Sequence, residues 1–121
     1  MGDCAERLDD GLTVRHGRND IPPACILTLT GTAEAWNAEA LAGHFERTAA
    51  EGTALVVDLS GLLFGGWDLV GLLLHARTQR PVVLVGPLGA HLAGRLALTG
   101  AGALFAVAPS IAEALAVPAA P

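Results

Sequence analysis

Two short runs, "ALVVDL" at residues 54–59 and "PVVLVG" at 81–86, constrain this chain more than anything else in it. Each is apolar over most of a strand's length, without the polar alternation of a strand that faces water on one side. Such runs belong to strands covered on both faces, which are typical of parallel sheets packed between helices. The segment between them, "LVGLLLHART", reads as a helix from about Leu69 to Thr78, with Arg77 near its negative end. Strand, helix, strand in that order is the unit from which a mostly parallel sheet is built.

The rest of the chain extends the same pattern. "LTVRH" alternates as a half-buried strand does, "GRNDIPP" is a turn, and "ACILTLTG" is a second strand. The short link between these strands predicts an antiparallel pair. From Ala35 to about Ala50, Trp36, Ala40, Leu41 and Phe45 recur at helical spacing with Glu39, Glu46 and Arg47 outward, and Gly52 is a stop signal. After "PVVLVG", "AHLAGRLALTG" is a helix closed by Gly100, "ALFAVA" a last strand, and "IAEALA" a short helix capped by Ser110. The expected class is α/β: one domain with a mixed, mostly parallel sheet of about five strands and about four helices, in the order β-β-α-β-α-β-α-β-α. Residues 1–11 read as a flexible leader, 12–116 as the domain and 117–121 as a flexible tail.

A chain of 121 residues that is half hydrophobic is long enough for one real core and excludes a disordered protein. No apolar run has the length needed to cross a bilayer, and the acidic start "MGDCAERLDDG" has no signal-peptide character, so a soluble cytoplasmic protein is expected. Charge is uneven. Residues 1–68 carry eleven acids against four arginines, a net of −7, whereas residues 69–121 carry three arginines against Glu113 alone. No basic footprint for nucleic acid results. Cys4 and Cys25, with His16, His44, His75 and His91, have no metal-ligand spacing, so neither a zinc site, a disulfide framework nor a cofactor is expected.

The order of elements and several phrases resemble the STAS domain, which sulphate transporters share with bacterial anti-sigma factor antagonists. "LVVDLSGLLF" is similar to the family's third strand and the loop after it, "RPVVLVGP" to its fourth strand, and "LALTGAGALFAVAPSIAEAL" to its closing helix, strand and helix. The likeness runs from about Leu12 to Leu115. It implies a regulator that works by protein–protein contact. Its partners would be an anti-sigma factor kinase or another STAS protein, with a homodimer as a further option and neither nucleic acid nor membrane insertion involved.

In that family the loop before the second helix reads Asp-Ser-Ser-Gly-Leu after the phenylalanine matching Phe64, and the second serine is phosphorylated. Laid on this chain, the five positions are Gly66, Trp67, Asp68, Leu69 and Val70, so Asp68 takes the phosphoserine's place. No serine or threonine lies between Ser60 and Thr78. The usual serine switch is therefore expected to be lost, and Gly66, Trp67, Asp68 and Leu69 are the expected partner-binding residues. An aspartate at a helix start is favoured by the helix dipole as a phosphate is, with less charge and fewer oxygens. Asp is also a preferred N-cap, and both readings of Asp68 stand at this point. Trp67 is either satellite core or an exposed anchor.

Other chemistries are disfavoured. Asp58 ends a strand as a phospho-accepting aspartate would, but the acidic pair and the lysine of a receiver domain are missing, so it reads as a turn former. "GPLGAHLAG" fits neither phosphate-loop pattern. Ser60 and Ser110 have no evident histidine partner in sequence, and no enzyme is expected. Two further functions fit the resemblance: a small-ligand or nucleotide-binding module, and an accessory STAS subunit of a membrane transport complex. The helix "LVGLLLHA" is apolar nearly all round, which requires either cover on several sides within the domain or contact with another chain.

Overall fold

The computed structural model describes residues 4–8, 11–51 and 53–116. Its sheet has six strands in sequential order: β1 (Cys4–Leu8), β2 (Leu12–Asn19), β3 (Ala24–Ala33), β4 (Ala54–Gly65), β5 (Val82–Val85) and β6 (Ala106–Ala108). β1, β2 and β3 pair antiparallel, and β3 through β6 run parallel. Four helices follow the parallel strands: α1 (Ala38–Ala49), α2 (Trp67–Arg77), α3 (Ala90–Leu98) and α4 (Ile111–Ala116). This is the α/β class and element order that the sequence predicts, with one strand more.

The additional strand corrects the reading of residues 1–11 as a leader. Cys4–Leu8 pairs with β2 from Cys4 opposite His16 to Leu8 opposite Leu12. A ladder of this kind is made by main-chain groups, which every non-proline residue carries, so "CAERL" can complete it without any apolar pattern. Residues 1–3, 9 and 10, and the expected tail at 117–121, lie outside the described residues.

The continuous apolar runs behave as their composition requires. In β4, Leu55, Val57 and Leu59 are buried with Leu27 and Leu29 of β3 and Leu84 of β5 on one face of the sheet, under α1, α2 and α3. Val56 and Val85 are buried on the other face, against Ala108 of β6 and Ala114 of α4. The alternation is present, but both sets face protein. α1 buries Leu41, His44, Phe45 and Thr48, a single stripe at helical spacing. Trp36, expected on that stripe, precedes α1 in a short 3₁₀ turn and is 60% exposed. The change from 3₁₀ to α winding rotates it out of line.

α2 lies between α1 and α3 over β4 and β5. Leu69, Val70, Leu73 and Ala76 are buried, and Leu72 and Leu74 pack beside them against the same core. Neighbouring helices on two sides explain an apolar circumference that one sheet-facing stripe would not need. At the top of the antiparallel part, Gly11 and Gly31 have φ of +116° and +109°. There the Thr32 N–H donates to Gly11 O at 2.6 Å, and a Cβ on Gly31 would fall 1.6 Å from that oxygen. The two backbones approach so closely that only glycine fits.

Candidate partner-binding surface

The carboxyl ends of β3, β4 and β5 stand side by side, and each leads through a short connection into its own helix. β4 is the long strand among them. It pairs with β5 only from Leu55 to Asp58, then continues along β3 alone to Gly65. Where it parts from β5, Asp58 Oδ1 accepts hydrogen bonds from Ser60 N–H at 3.0 Å and Ser60 Oγ–H at 2.7 Å. Asp58 thus has a turn former's local bonds, which compensate for the ladder bonds lost there. Freed from β5, the end of β4 presents Leu63 to solvent and leaves Phe64 half-buried.

Gly66 joins β4 to α2. Its N–H donates to Ala33 O at 2.9 Å, extending the β3–β4 ladder by one step, and its carbonyl accepts from Leu69 N–H at 3.1 Å and Val70 N–H at 3.3 Å. It is therefore the N-cap of α2, in extended conformation and without a side chain to cap with. This corrects the reading of Asp68 as the cap. The helix starts earlier than the apolar pattern suggests, with Trp67 its first residue and Asp68 its second. Asp68 is exposed in the first turn, where its charge faces the positive end of the helix dipole.

Of the four expected partner-binding residues, Trp67 and Asp68 are exposed and Gly66 is half-buried. Leu69 is 1% exposed and belongs to the core, so it cannot meet a partner. One step of roughly 100° along a helix is enough to turn from solvent to the sheet. Trp67 is 52% exposed. The Arg95 guanidinium of α3 lies 5.5 Å from the Trp67 ring centroid and 4.8 Å from that of Phe64. The His91 ring is 5.4 Å from the Phe64 ring, and Arg95 Nη1 donates to His91 O at 3.2 Å. Trp67 is thus neither core nor loose: Arg95 supports part of it while the remainder is open.

Trp36 stands on the adjoining β3–α1 connection. That connection is held by Asn37, which is fully buried, accepts from Glu34 N–H at 2.9 Å and donates to Thr32 O at 3.0 Å. Sequence reasoning missed both supports. Asn37 is one polar residue at a helix start, and nothing near Arg95 in the sequence pairs it with aromatic residues about thirty positions away. The β3–α1 connection and the start of α2 together carry two exposed tryptophans and the carboxylates of Glu34 and Asp68. Among the described residues no three His, Cys, Asp or Glu side chains gather as metal ligands would, and no helix is long and apolar enough to cross a membrane.

No family model matches the sequence, and no curated protein matches it. Solved structures do. An anti-sigma factor antagonist from Mycobacterium paratuberculosis superposes with a TM-score of 0.78 at 23% identity, over 89% of this chain and 94% of that one. The anti-sigma factor antagonist SpoIIAA in its unphosphorylated form gives 0.67 at 16% identity, over 94% and 93% of the two chains. The phosphorylated form of SpoIIAA, a Bacillus cell fate determinant, gives 0.60 at 15%, over 95% and 97%. These likenesses extend across nearly the whole chain. The chain has the fold of these anti-sigma factor antagonists.

Proposed function

We propose that this protein is a divergent anti-sigma factor antagonist-like regulator in the cytoplasm, acting by protein–protein binding and without the serine switch. The fold it shares with such antagonists supports the class. The observation that carries the reading is Trp67, half-exposed at the start of α2 and held from behind by Arg95. An aromatic side chain fixed before binding loses little conformational freedom on contact, and tryptophan is enriched among residues that dominate binding energy. Asp68 places a permanent negative charge beside it. The partner is an anti-sigma factor kinase or a second STAS protein.

The test is Trp67→Ala, with affinity for a candidate anti-sigma kinase measured by titration calorimetry beside denaturant unfolding of the same variant. Affinity is expected to fall about thirtyfold, as for a binding hot spot. Loss of the partial stacking on Arg95 should cost no more than about 1 kcal/mol of stability. A large stability loss with binding intact would make Trp67 a structural residue and remove this surface from the reading.

A further inference from the structure

A second feature lies at the other end of α2. Arg80, three residues past the helix, is only 7% exposed. Its Nη2 makes a single long bond, 3.4 Å, to Phe45 O of α1. Nε and Nη1 are buried with no hydrogen-bond partner. No carboxylate among the described residues forms an ion pair with it. Burial lowers its pKa from the usual arginine value, with the Cys25 sulfur acting the other way. A guanidinium stays charged in proteins even so, and a buried charge without a counter-ion is among the costlier features a fold can retain.

Arg80 lines a cavity of about 240 Å³ between α1 and α2. Its walls include Phe45, Ala49, Leu72 and Ala76, while the exposed Glu46 and His75 stand at its mouth. The volume is below the ~300–1,000 Å³ typical of pockets for drug-sized ligands. The chemistry is specific: one cation whose Nη2 has a second hydrogen beyond its long bond to Phe45 O, walls that are apolar apart from Gln79, and a carboxylate at the opening that repels polyanions. We infer that this cavity binds a small monocarboxylate with an apolar body, its carboxylate on Arg80 and its hydrocarbon part against Phe45 and Leu72. A carboxylate offers two acceptor oxygens to the guanidinium in charge-assisted bonds. Phosphate or a nucleotide would bring more charge past Glu46 and leave the apolar wall unused.

Benzoate is a suitable probe, with benzyl alcohol as its uncharged counterpart and inorganic phosphate as the polyanion, all at matched ionic strength. Benzoate should raise the melting temperature of the full chain with the logarithm of its concentration, as a ligand of the native state does, and should move the Arg80 Nε–H signal saturably in nitrogen-15 spectra. Benzyl alcohol should bind at least about tenfold more weakly, having no charge for Arg80. Arg80→Met should abolish the benzoate effect. If that variant does not fold, Ala49→Leu, which fills the cavity and keeps the arginine, should abolish it instead. Equal stabilisation by benzyl alcohol would reduce the site to an apolar void, and equal stabilisation by phosphate would make it an unselective anion contact. Either result, or an Arg80 signal that does not move, overturns the inference.

Discussion

Asp68 meets the positive end of α2 as a charge and not as a cap, and that difference fixes what replacing it should do. Serine there would lose an interaction of about 0.3–1 kcal/mol with the helix dipole. It would restore a hydroxyl at the position that resembles the family's phosphoserine. If Asp68 acts as a weakened permanent phosphate, Asp68→Ser should bind an anti-sigma kinase more tightly than the wild type. It should then gain one phosphate on incubation with ATP and that kinase, read by intact mass, while the wild-type loop gains none. Equal affinities would leave Asp68 as a surface charge only, and phosphate on wild-type Ser60 or Thr78 would show the switch relocated. Two glycines give a sharper contrast at the same scale. Gly31→Ala puts a Cβ into Gly11 O at a positive φ and should cost more than about 2 kcal/mol. Gly71→Ala, exposed on α2 with nothing near the new methyl, should stabilise by about 0.5–1 kcal/mol. Denaturant unfolding of the two variants checks both signs.

Among the elements, those whose side chains decide their own burial were legible. β4 and β5 announce two-sided cover through unbroken valine and leucine, and both are buried on both faces. β1 was not legible because an edge strand can be held by main-chain bonds alone, whatever its side chains. The start of α2 was misplaced because its cap is a glycine with no side-chain signal, and Trp67 in the first turn breaks the apolar pattern used to find helices. The surface was legible in part for a similar reason. The position of Asp68 follows from local sequence, whereas the support of Trp67 by Arg95 depends on where α3 is laid beside α2, a property of packing. If α2 is apolar all round because α1 and α3 flank it, its core side should be as sensitive as any interior. Leu73→Ala, at a fully buried site, should cost about 2–5 kcal/mol. Leu98→Ala, at an exposed site of α3, should stay within about 0.5 kcal/mol.

Across the whole molecule, α2 joins two places of different character. Its amino end carries the tryptophan surface; Arg80 lies past its carboxyl end, about 16 Å along the axis for eleven residues, and the cavity flanks its carboxyl half at Leu72, His75 and Ala76. A ligand at one end alters binding at the other only if some element between them has two arrangements that the ligand distinguishes. α2 shows no such element: it is a continuous helix, packed between α1 and α3 on a sheet whose strands follow one another in sequence. The two ends should therefore act independently. Substitutions separated by more than about 7–10 Å, without shared partners, add to within roughly 0.5 kcal/mol. Trp67→Ala and Arg80→Met should do so in a double-mutant cycle on stability. The single variants should differ in kind. Trp67→Ala should lower partner affinity, whereas Arg80→Met should leave it unchanged. Because methionine replaces a buried unpaired charge, Arg80→Met should be neutral in stability or stabilising by up to about 4 kcal/mol. Partner affinity measured with and without saturating benzoate completes the test. A shift of tenfold or more, which is about 1.4 kcal/mol of coupling, would mean that α2 transmits between its ends, and the cavity would then be a control point for the surface.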